Sequence, residues 1–295
     1  FLPKYDKQSD IYADMLKELE ESAAALSSGT SGFGAADVIY GGDQAKWKRL
    51  ANSLMLRLGL RLIKVDPSAS QAWATKAISG GVMTSNDDIF YLKHDNDNRN
   101  GISEVFDANG LDSAMLLDLT GEENTDNYAE PNRAILAGFD APMIFQTYAE
   151  VEFMLAEANV RWGLAGDAAT HYNNGVTAAM KQLSLFSEAA EIDDADITTY
   201  LTNNPYDAAN AIEQINTQYW AATFLNEYET FSNWRRTGFP VLTPVNYPGN
   251  ETGGSIPRRL TYSENEASVN AANYEAALAA QGPDVLTTRV WWDVQ

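Results

Sequence analysis

The chain contains no cysteine and only two histidines among its 295 residues. The missing thiols exclude disulfides, zinc–thiolate sites and cysteine nucleophiles. Basic residues are scarce as well, since 20 Lys and Arg stand against 41 Asp and Glu and leave a formal net charge of −21. Nucleic acid binding needs a basic surface that releases counterions, so this balance argues against nucleic acid as a partner.

Long apolar runs are also missing. A membrane-spanning helix needs about 18 consecutive apolar residues, and no stretch of the sequence reaches that length. The closest stretch, 53–65, is interrupted by Arg57, Arg61 and Lys64. The chain begins with Phe1 rather than Met, so we expect any targeting signal to lie upstream of this sequence. Apolar residues nevertheless make up 45% of the chain and aromatic residues 11%, which is enough for a large globular core.

The negative charge is concentrated in two segments. Residues 85–130 hold two basic and twelve acidic residues, a net charge of −10, and residues 181–230 have a net charge of −8. The rest of the chain is close to neutral. We expect both acidic segments to face solvent, and the first favours a neutral or cationic ligand over a polyanionic one.

Helical periodicity dominates the chain outside residues 85–142. Apolar residues recur every three or four positions over 11–19 and again over 47–63, and Arg57 and Arg61 would need carboxylate partners if that second helix is buried. Asp43 and Asp66 stand where N-caps are expected, and the short gap between their helices predicts an antiparallel hairpin.

A second hairpin is predicted after Pro142, with a helix over 145–163 and a following helix capped by Asp167. Small residues and a tyrosine stand near the positions where tetratricopeptide repeats have them: Ala156, Ala168, Tyr172 and Gly175. A further helix is predicted over 205–234, with Tyr228 on its buried face.

These patterns predict an all-α fold of tetratricopeptide-like stacked helical hairpins in a single domain, 1–295. Residues 1–84 and 143–238 are expected to be helical, and 239–295 to form an irregular tail. Residues 85–142 are rich in Asn, Asp and Gly, and a connection of this length is usually functional, so we expect a loop-rich central lobe there.

Several motifs, in order, resemble those of the SusD/RagB family. They are Tyr40-Gly41-Gly42-Asp43, Ala51-Asn52-Ser53-Leu54, Leu155-Ala156-Glu157-Ala158, Tyr172-Asn173-Asn174-Gly175, Trp234-Arg235-Arg236-Thr237-Gly238, Ile256-Pro257-Arg258-Arg259 and Arg289-Val290-Trp291-Trp292-Asp293. The similarity covers most of 1–84 and 143–295. Because residue 1 matches an internal stretch of that family, we expect the chain to be incomplete at its N-terminus.

The resemblance implies a function that the residues alone do not show. Members of that family are outer-membrane lipoproteins of Bacteroidetes-type bacteria, without catalytic activity or cofactor, that bind oligosaccharides or in some cases peptides. They form a lid on a TonB-dependent transporter of the SusC type. The implied lipid anchor would lie upstream of this chain. A pure protein-interaction scaffold with no small ligand is the competing interpretation.

No enzyme motif is found, since the chain lacks G-x-S-x-G, H-E-x-x-H and a phosphate loop. His94 and His171 have no identifiable nucleophile nearby, so we interpret both as structural. Glu150 and Glu157 lie seven residues apart on one helix face and could form a glycosidase pair. We favour ion pairs with arginines such as Arg57 or Arg161.

Two further groups have an alternative interpretation as ion sites. Residues 96–107 can be placed in a calcium-loop frame, with ligands at Asn96, Asn98, Asn100, Gly101, Glu104 and Asp107. Position 1 is Asn and position 12 is Asp rather than Glu, so we favour an Asn/Gly turn and predict no metal site. The pairs Arg235-Arg236 and Arg258-Arg259 could bind anions, but we favour structural ion pairs.

A sugar-binding surface needs exposed aromatic rings that stack on pyranose faces, together with amide and charged groups that bond the hydroxyls. The central lobe and the helix before it supply these residue types. The predicted ligand-binding residues are Trp73, Tyr91, Asn98, Arg99, Phe106 and Tyr128. No catalytic or metal-binding residue is assigned.

Overall fold

The computed structural model describes residues 2–26, 33–95, 97–101, 138, 140–224, 226–246 and 248–294. This part of the chain contains ten α-helices and two short strands. The helices are α1 (Gln8–Ala25), α2 (Gln44–Arg61), α3 (Pro67–Gly80), α4 (Tyr148–Trp162), α5 (Ala168–Lys181), α6 (Asp194–Asn203), α7 (Ala211–Ala222), α8 (Glu227–Thr237), α9 (Glu266–Val269) and α10 (Ala271–Gln281). The strands are β1 (Phe90–Leu92) and β2 (Met143–Gln146), which pair antiparallel. The predicted all-α class is confirmed.

The helix starts follow the capping chemistry visible in the sequence. Asp43 accepts hydrogen bonds from the second and third residues of α2, and Asp66 and Asp167 cap α3 and α5 in the same way. Thr147 and Glu150 form a reciprocal capping box at the start of α4. Each cap gives a partner to free N–H groups in the first turn of its helix.

The core forms where two helical hairpins meet. Helix α2 packs against α1 and α3, α4 packs against α5, and α7 lies across α4. Contact between α2 and α4 joins the two hairpins. Their shared core contains fully buried side chains from both, among them Leu56, Leu60, Phe153, Tyr172 and Ile215. This arrangement confirms the predicted stacked hairpins.

Phe145 does not belong to the predicted helix, because the structure places it in β2. Thr147 adopts an extended backbone and caps α4, so the helix begins only at Tyr148. The four residues before Thr147 are thereby free to pair with β1, where Phe90 lies opposite Gln146. This pairing attaches the described part of the central lobe to the helical scaffold.

The helix predicted over 205–234 is broken into α7 and α8. After Ala222 the hydroxyl of Thr223 bonds back to the Tyr219 carbonyl, and Thr230 bonds to Thr223 across the turn. The prediction that Tyr228 is buried is therefore wrong, because its side chain is 83% exposed at the start of α8. The break lets α8 bring Glu229 to within 2.8 Å of Arg61 on α2.

The tail is irregular apart from α9 and α10. It is held to the scaffold by buried Trp292, whose ring centre lies 5.4 Å from the Arg61 guanidinium, and by Arg258 and Arg235 of α8, each of which donates to the other's backbone carbonyl. Within the described ranges, no helix has both the length and the apolar character that crossing a bilayer demands.

Candidate functional site

Tyr91 and Asn98, two of the predicted ligand-binding residues, lie in the described part of the central lobe. Tyr91 is half-buried on β1, opposite Ile144 of β2. Asn98 is exposed in a tight turn, where the Asp95 carboxylate accepts its backbone N–H at 2.7 Å. That bond lowers the pKa of Asp95. Arg99 is exposed next to this turn. The lobe thus presents amide and guanidinium groups at its surface.

Trp73 lies in a different part of the molecule. It is half-buried on α3, where a Cβ added to Gly59 of α2 would lie 2.9 Å from the Trp73 Cβ. The Lys76 ammonium sits 4.4 Å from the centre of its ring and pairs with Glu20 of α1. Among the described residues, no hydrogen bond, ion pair or ring contact joins Trp73 to Tyr91. Trp73 has a packing role that its position in the sequence does not reveal.

Phe106 and Tyr128 lie outside the described residues, so their place in a ligand site stays a prediction. Asn96, Glu104 and Asp107 of the calcium frame also lie outside them. Asn100 is buried and donates its side-chain N–H to the Ala141 carbonyl at 3.0 Å. In the described ranges, no group of three or more His, Cys, Asp and Glu side chains is placed to hold a metal ion.

A row of four aromatic rings links the lobe to α2, a feature that sequence reasoning missed. Tyr40 packs on Trp47 at 5.1 Å, Trp47 on Phe90 at 6.2 Å, and Phe90 on Phe145 at 4.9 Å between ring centres. The row is kept in place by polar bonds, since the Trp47 indole N–H donates to Asp37. Part of the signal was present, because Tyr40 belongs to the first family motif and Trp47 follows that motif by four residues.

Two buried carboxylates of α4, Glu150 and Glu157, are paired with arginines, as predicted. Glu150 is fully buried and accepts from Arg57 Nη2 at 2.5 Å. Arg61 bonds both oxygens of Glu229, and the Tyr219 hydroxyl bonds to Glu150 and Glu229. A desolvated charge needs such partners to persist in a core. This network joins α2, α4, α7 and α8.

A second network surrounds Glu157, seven residues further along α4. Both of its oxygens accept from Arg236 at 2.7 Å, and Arg161 adds a third bond at 2.7 Å. Burial alone would raise the pKa of Glu157, but the two guanidiniums outweigh it and lower the pKa to about 2. Glu150 and Glu157 are both committed to arginines and do not face a common substrate space.

The four arginines of the two C-terminal motifs differ in whether they have a carboxylate partner. Arg236, Arg258 and Arg259 pair with Glu157, Asp293 and Asp284. Three of these four arginines therefore form the structural ion pairs that we predicted. Arg235 does not, since the described part of the chain offers it no carboxylate within ion-pair distance.

The described part of the chain contains a cleft with the chemistry that sugar binding requires, at a place that sequence reasoning did not predict. This terminal cleft has a volume of about 550 Å³ and lies between residues 4–9, α10 and the end of the tail. Three aromatic rings and three side-chain amides line it: Tyr5, Tyr262, Trp291, Gln8, Asn273 and Gln281.

The walls of the terminal cleft are held together by contacts between distant parts of the chain. The rings of Tyr5 and Tyr262 lie 4.7 Å apart, and Gln8 accepts the backbone N–H of Trp291 at 2.9 Å. Alanines of α10 form the floor. Trp291 and Tyr5 are each 38% exposed, so their faces are open to a ligand. The volume is in the range of small-ligand sites.

Comparison with known proteins identifies the family. The chain matches the model of a SusD-like family, described as starch-binding associating with outer membrane, over residues 1–109 and 104–263. A search of the curated proteins found no match. A solved chitin-binding protein is 34% identical, with a TM-score of 0.87, and the match covers 100% of this chain and 74% of that one.

Two further solved structures agree. A SusD-like protein, Bacteroidetes AC2a, is 25% identical with a TM-score of 0.84, covering 99% of this chain and 78% of that one. A chitin-binding SusD homologue from Flavobacterium johnsoniae is 25% identical with a TM-score of 0.77, covering 100% and 74%. The chain therefore belongs to the SusD-like family whose model it matches.

Proposed function

We propose that this protein binds an oligosaccharide without chemical conversion and delivers it to a transporter in the outer membrane. The observation that carries the proposal is the terminal cleft, in which three aromatic rings and three amides face one space of about 550 Å³. Rings stack on the apolar faces of pyranoses, and amides bond their hydroxyl groups. Membership of a family described as starch-binding supports the same ligand class.

Oligomers of N-acetylglucosamine are the first candidates for the ligand. The 34% identical structure and the Flavobacterium johnsoniae homologue are both described as chitin-binding. An N-acetyl group needs a hydrogen-bond donor and acceptor beside an apolar surface for its methyl. Gln281 and Asn273 next to the α10 alanines supply these groups in the terminal cleft.

The lobe residues form the second part of the proposed ligand surface. We propose that Tyr91, Asn98 and Arg99, together with Phe106 and Tyr128, contact a longer glycan outside the terminal cleft. Tyr91 and the exposed turn at Asn98 support this proposal by their position at the surface. Trp73 is retained as a proposed contact through its exposed edge, although its other face packs on α2.

The proposal is for binding without catalysis. Glu150 and Glu157 are buried and bonded to arginines, so neither can exchange protons with a ligand. Both ring nitrogens of His171 have hydrogen-bond partners, and one nitrogen of His94 has the Asn98 carbonyl. These contacts involve the four side chains that the sequence offered as candidate acids or bases.

Delivery to a TonB-dependent transporter and attachment to the outer membrane are proposed from the family. The alternative is a protein-interaction scaffold, which the stacked hairpins would also support, and a peptide ligand is the third choice. Co-purification with a transporter barrel in the absence of any glycan binding would favour the scaffold.

Isothermal titration with chitotetraose and maltotetraose tests the proposal. We expect binding of chitotetraose, and a loss of about tenfold or more in affinity for Trp291→Ala, since aromatic stacking contributes on the order of 1–2 kcal/mol. Trp220→Ala is the matched control, because Trp220 is 39% exposed on α7 and lies outside the cleft. Tyr91→Ala combined with Phe106→Ala and Tyr128→Ala tests the lobe separately. If neither glycan binds the unmodified protein, the proposed function is wrong.

A further inference from the structure

A second cleft adjoins the terminal cleft, and the two share Tyr262 and Gln281. This arginine cleft has a volume of about 570 Å³ and lies between α8, the segment 259–262 and the end of α10. Two guanidiniums line it, those of Arg235 and Arg259. Two arginines in one cleft are unusual in a chain with a net charge of −21, and their hydrogen-bond and ion-pair partners show why they matter.

Arg235 is half-buried and has only neutral hydrogen-bond partners in the described structure. Its Nη1 donates to the Arg258 carbonyl at 2.8 Å, its Nη2 to the Ser232 hydroxyl at 3.2 Å, and its Nε to the Phe231 carbonyl at 3.4 Å. A guanidinium has five N–H groups. One N–H on each terminal nitrogen of Arg235 is therefore left without a described acceptor.

The surroundings of Arg235 are unfavourable for an unpaired cation. Burial and the nearby Arg61 charge lower the pKa of Arg235 to about 10. The guanidinium lies over the rings of Phe231, at 4.0 Å, and Trp292, at 4.8 Å, which stabilise it only in part. The Asp293 carboxylate offsets only part of this from beyond ion-pair distance, so an anion in the cleft would supply an opposite charge in direct contact with the guanidinium.

Arg259 also has unused bonding capacity. It is 5% exposed and pairs with Asp284 through Nη2 at 3.2 Å, whereas its Nη1 is buried and has no hydrogen-bond partner among the described residues. A buried donor without a partner loses its hydrogen bonds to water and gains none in return, which is unfavourable. Both arginines that line the cleft therefore have N–H groups without a hydrogen-bond acceptor among the described residues.

The rim of the arginine cleft is apolar and aromatic on one side. Tyr228 is 83% exposed and Leu260 is 74% exposed, and both line the cleft. These side chains can make apolar contact with the uncharged part of a ligand while its charged group contacts Arg235. Exposed Glu227 also lies on the rim and adds a negative charge, so a ligand with many anionic groups would be repelled.

We propose that the arginine cleft binds the carboxylate of a hexuronic acid unit, within an oligosaccharide whose N-acetylhexosamine units occupy the terminal cleft. A planar carboxylate matches the paired N–H groups of a guanidinium better than any neutral sugar group does. Because the two clefts meet at Tyr262 and Gln281, one oligosaccharide chain can reach both. The identification of the ligand as an oligosaccharide rests on the proposed function. The identification of a carboxylate in that ligand rests on Arg235 and Arg259 alone.

The first test compares two tetrasaccharides by isothermal titration. Chitotetraose contains only N-acetylglucosamine, whereas the hyaluronan tetrasaccharide alternates it with glucuronic acid. We expect the hyaluronan tetrasaccharide to bind about tenfold tighter, because its carboxylate can form a charge-assisted bidentate contact that chitotetraose cannot form. Methyl esterification of its carboxylates is expected to remove this preference.

Variants then locate the preference. Arg235→Gln is expected to remove the tenfold ratio between the two ligands, and Arg235→Lys to reduce it because the fork of N–H groups is lost. Glu227→Gln, which removes a like charge at an exposed position, is expected to raise affinity for the acidic ligand about two- to threefold. Lys17→Gln on α1, where the side chain is 63% exposed, is the control for a change of overall charge.

Each outcome decides one question. Binding of chitotetraose with no preference for the acidic ligand overturns this inference and leaves the proposed function standing. A preference that Arg235 and Glu227 substitutions do not change overturns the assignment to this cleft. Binding of neither ligand overturns this inference, and it overturns the proposed function as well if maltotetraose also fails to bind. Glu227→Gln keeps the test valid if Arg235→Gln fails to fold.

Discussion

Both ring nitrogens of His171 face oxygen acceptors. Nδ1 lies 2.6 Å from a carboxylate oxygen of Glu152, and Nε2 bonds the Ala165 carbonyl. A neutral imidazole can donate from only one nitrogen, so this geometry needs the protonated ring. The hydrogen bond to Glu152 accordingly raises the pKa of His171 above its ordinary value of 6.5. The histidine is structural, as its isolation from any nucleophile in the sequence predicted.

The raised pKa makes a pH-dependent contribution to stability. Because the folded-state pKa lies above the unfolded one, the contribution is complete below about pH 6.5 and is lost as the pH rises through the folded value. We expect the difference in unfolding free energy between the unmodified protein and His171→Ala to fall from pH 5.5 to pH 9, because the folded state holds the proton more tightly than the unfolded chain. Urea unfolding at several pH values measures this difference.

Glu152→Gln serves as the matched variant, since it keeps the shape of the acceptor and removes its charge. In that background the His171→Ala difference should vary little with pH. A difference in the Glu152-containing protein that stays flat from pH 5.5 to pH 9 would show that folding does not raise the pKa of His171.

At the scale of the elements, the α4–α5 hairpin depends on a close approach at Gly175. A Cβ built there would lie 2.7 Å from the Phe153 ring, which is itself fully buried between both helices. Glycine in a helix interior normally costs about 1 kcal/mol relative to alanine. Its presence in α5 is explained by the packing, because only a residue without a side chain lets the two helices come this near.

Gly175→Ala is therefore expected to destabilise the protein despite its better helix propensity. Overpacking against a buried ring costs about 1–3 kcal/mol, which exceeds the propensity gain of about 1 kcal/mol. Asn173→Ala, at an exposed position of the same helix, should be neutral or slightly stabilising. Thermal and urea unfolding compare the two, and a Gly175→Ala protein as stable as Asn173→Ala would mean that the Phe153 ring moves freely.

At the scale of the whole molecule, ion pairs connect segments that are far apart in the sequence. Glu157 on α4 meets Arg236 on α8, 79 positions away, and Arg61 on α2 meets Glu229, 168 positions away. These bonds are buried, so each carboxylate depends on its arginine for compensation. They fix how the two hairpins and α8 lie relative to one another.

Arg236→Ala is expected to destabilise the fold by about 3–5 kcal/mol, because it leaves the buried Glu157 with Arg161 as its remaining cationic partner. Combining it with Glu157→Leu should recover part of the loss, since the uncompensated charge is then removed. A double-mutant cycle by urea unfolding measures the coupling. Additive losses in the double variant would contradict a buried ion pair.

Local chemistry accounts for what could be predicted from the sequence. The predicted caps Asp43, Asp66 and Asp167 act on backbone groups within four positions, so their effect is independent of the rest of the fold. Apolar periodicity likewise predicted the buried faces of α2, α4 and α5. The pairing of Arg57 and Arg61 with carboxylates followed because an unpaired charge is too costly to bury.

Where reasoning failed, a contact between distant residues overrode the local pattern. The apolar spacing over 205–234 continues through the turn at Thr223, but burying Glu229 against Arg61 requires two helices there. Phe145 fits a helical stripe equally well, yet it pairs with β1 and stacks on Phe90. Local periodicity carries no information about such partners.

The sequence by itself determined the helical class, the hairpins, the family motifs and the acidic character of the central segment, because each depends on neighbouring residues or on composition. Only the tertiary structure decided which aromatic residues share a cleft. Tyr5 and Trp291 are separated by almost the whole chain, and they meet because α1 and the tail pack on the same side of the scaffold. Likewise, only three-dimensional packing left Arg235 without the carboxylate that its neighbours Arg236 and Arg258 have.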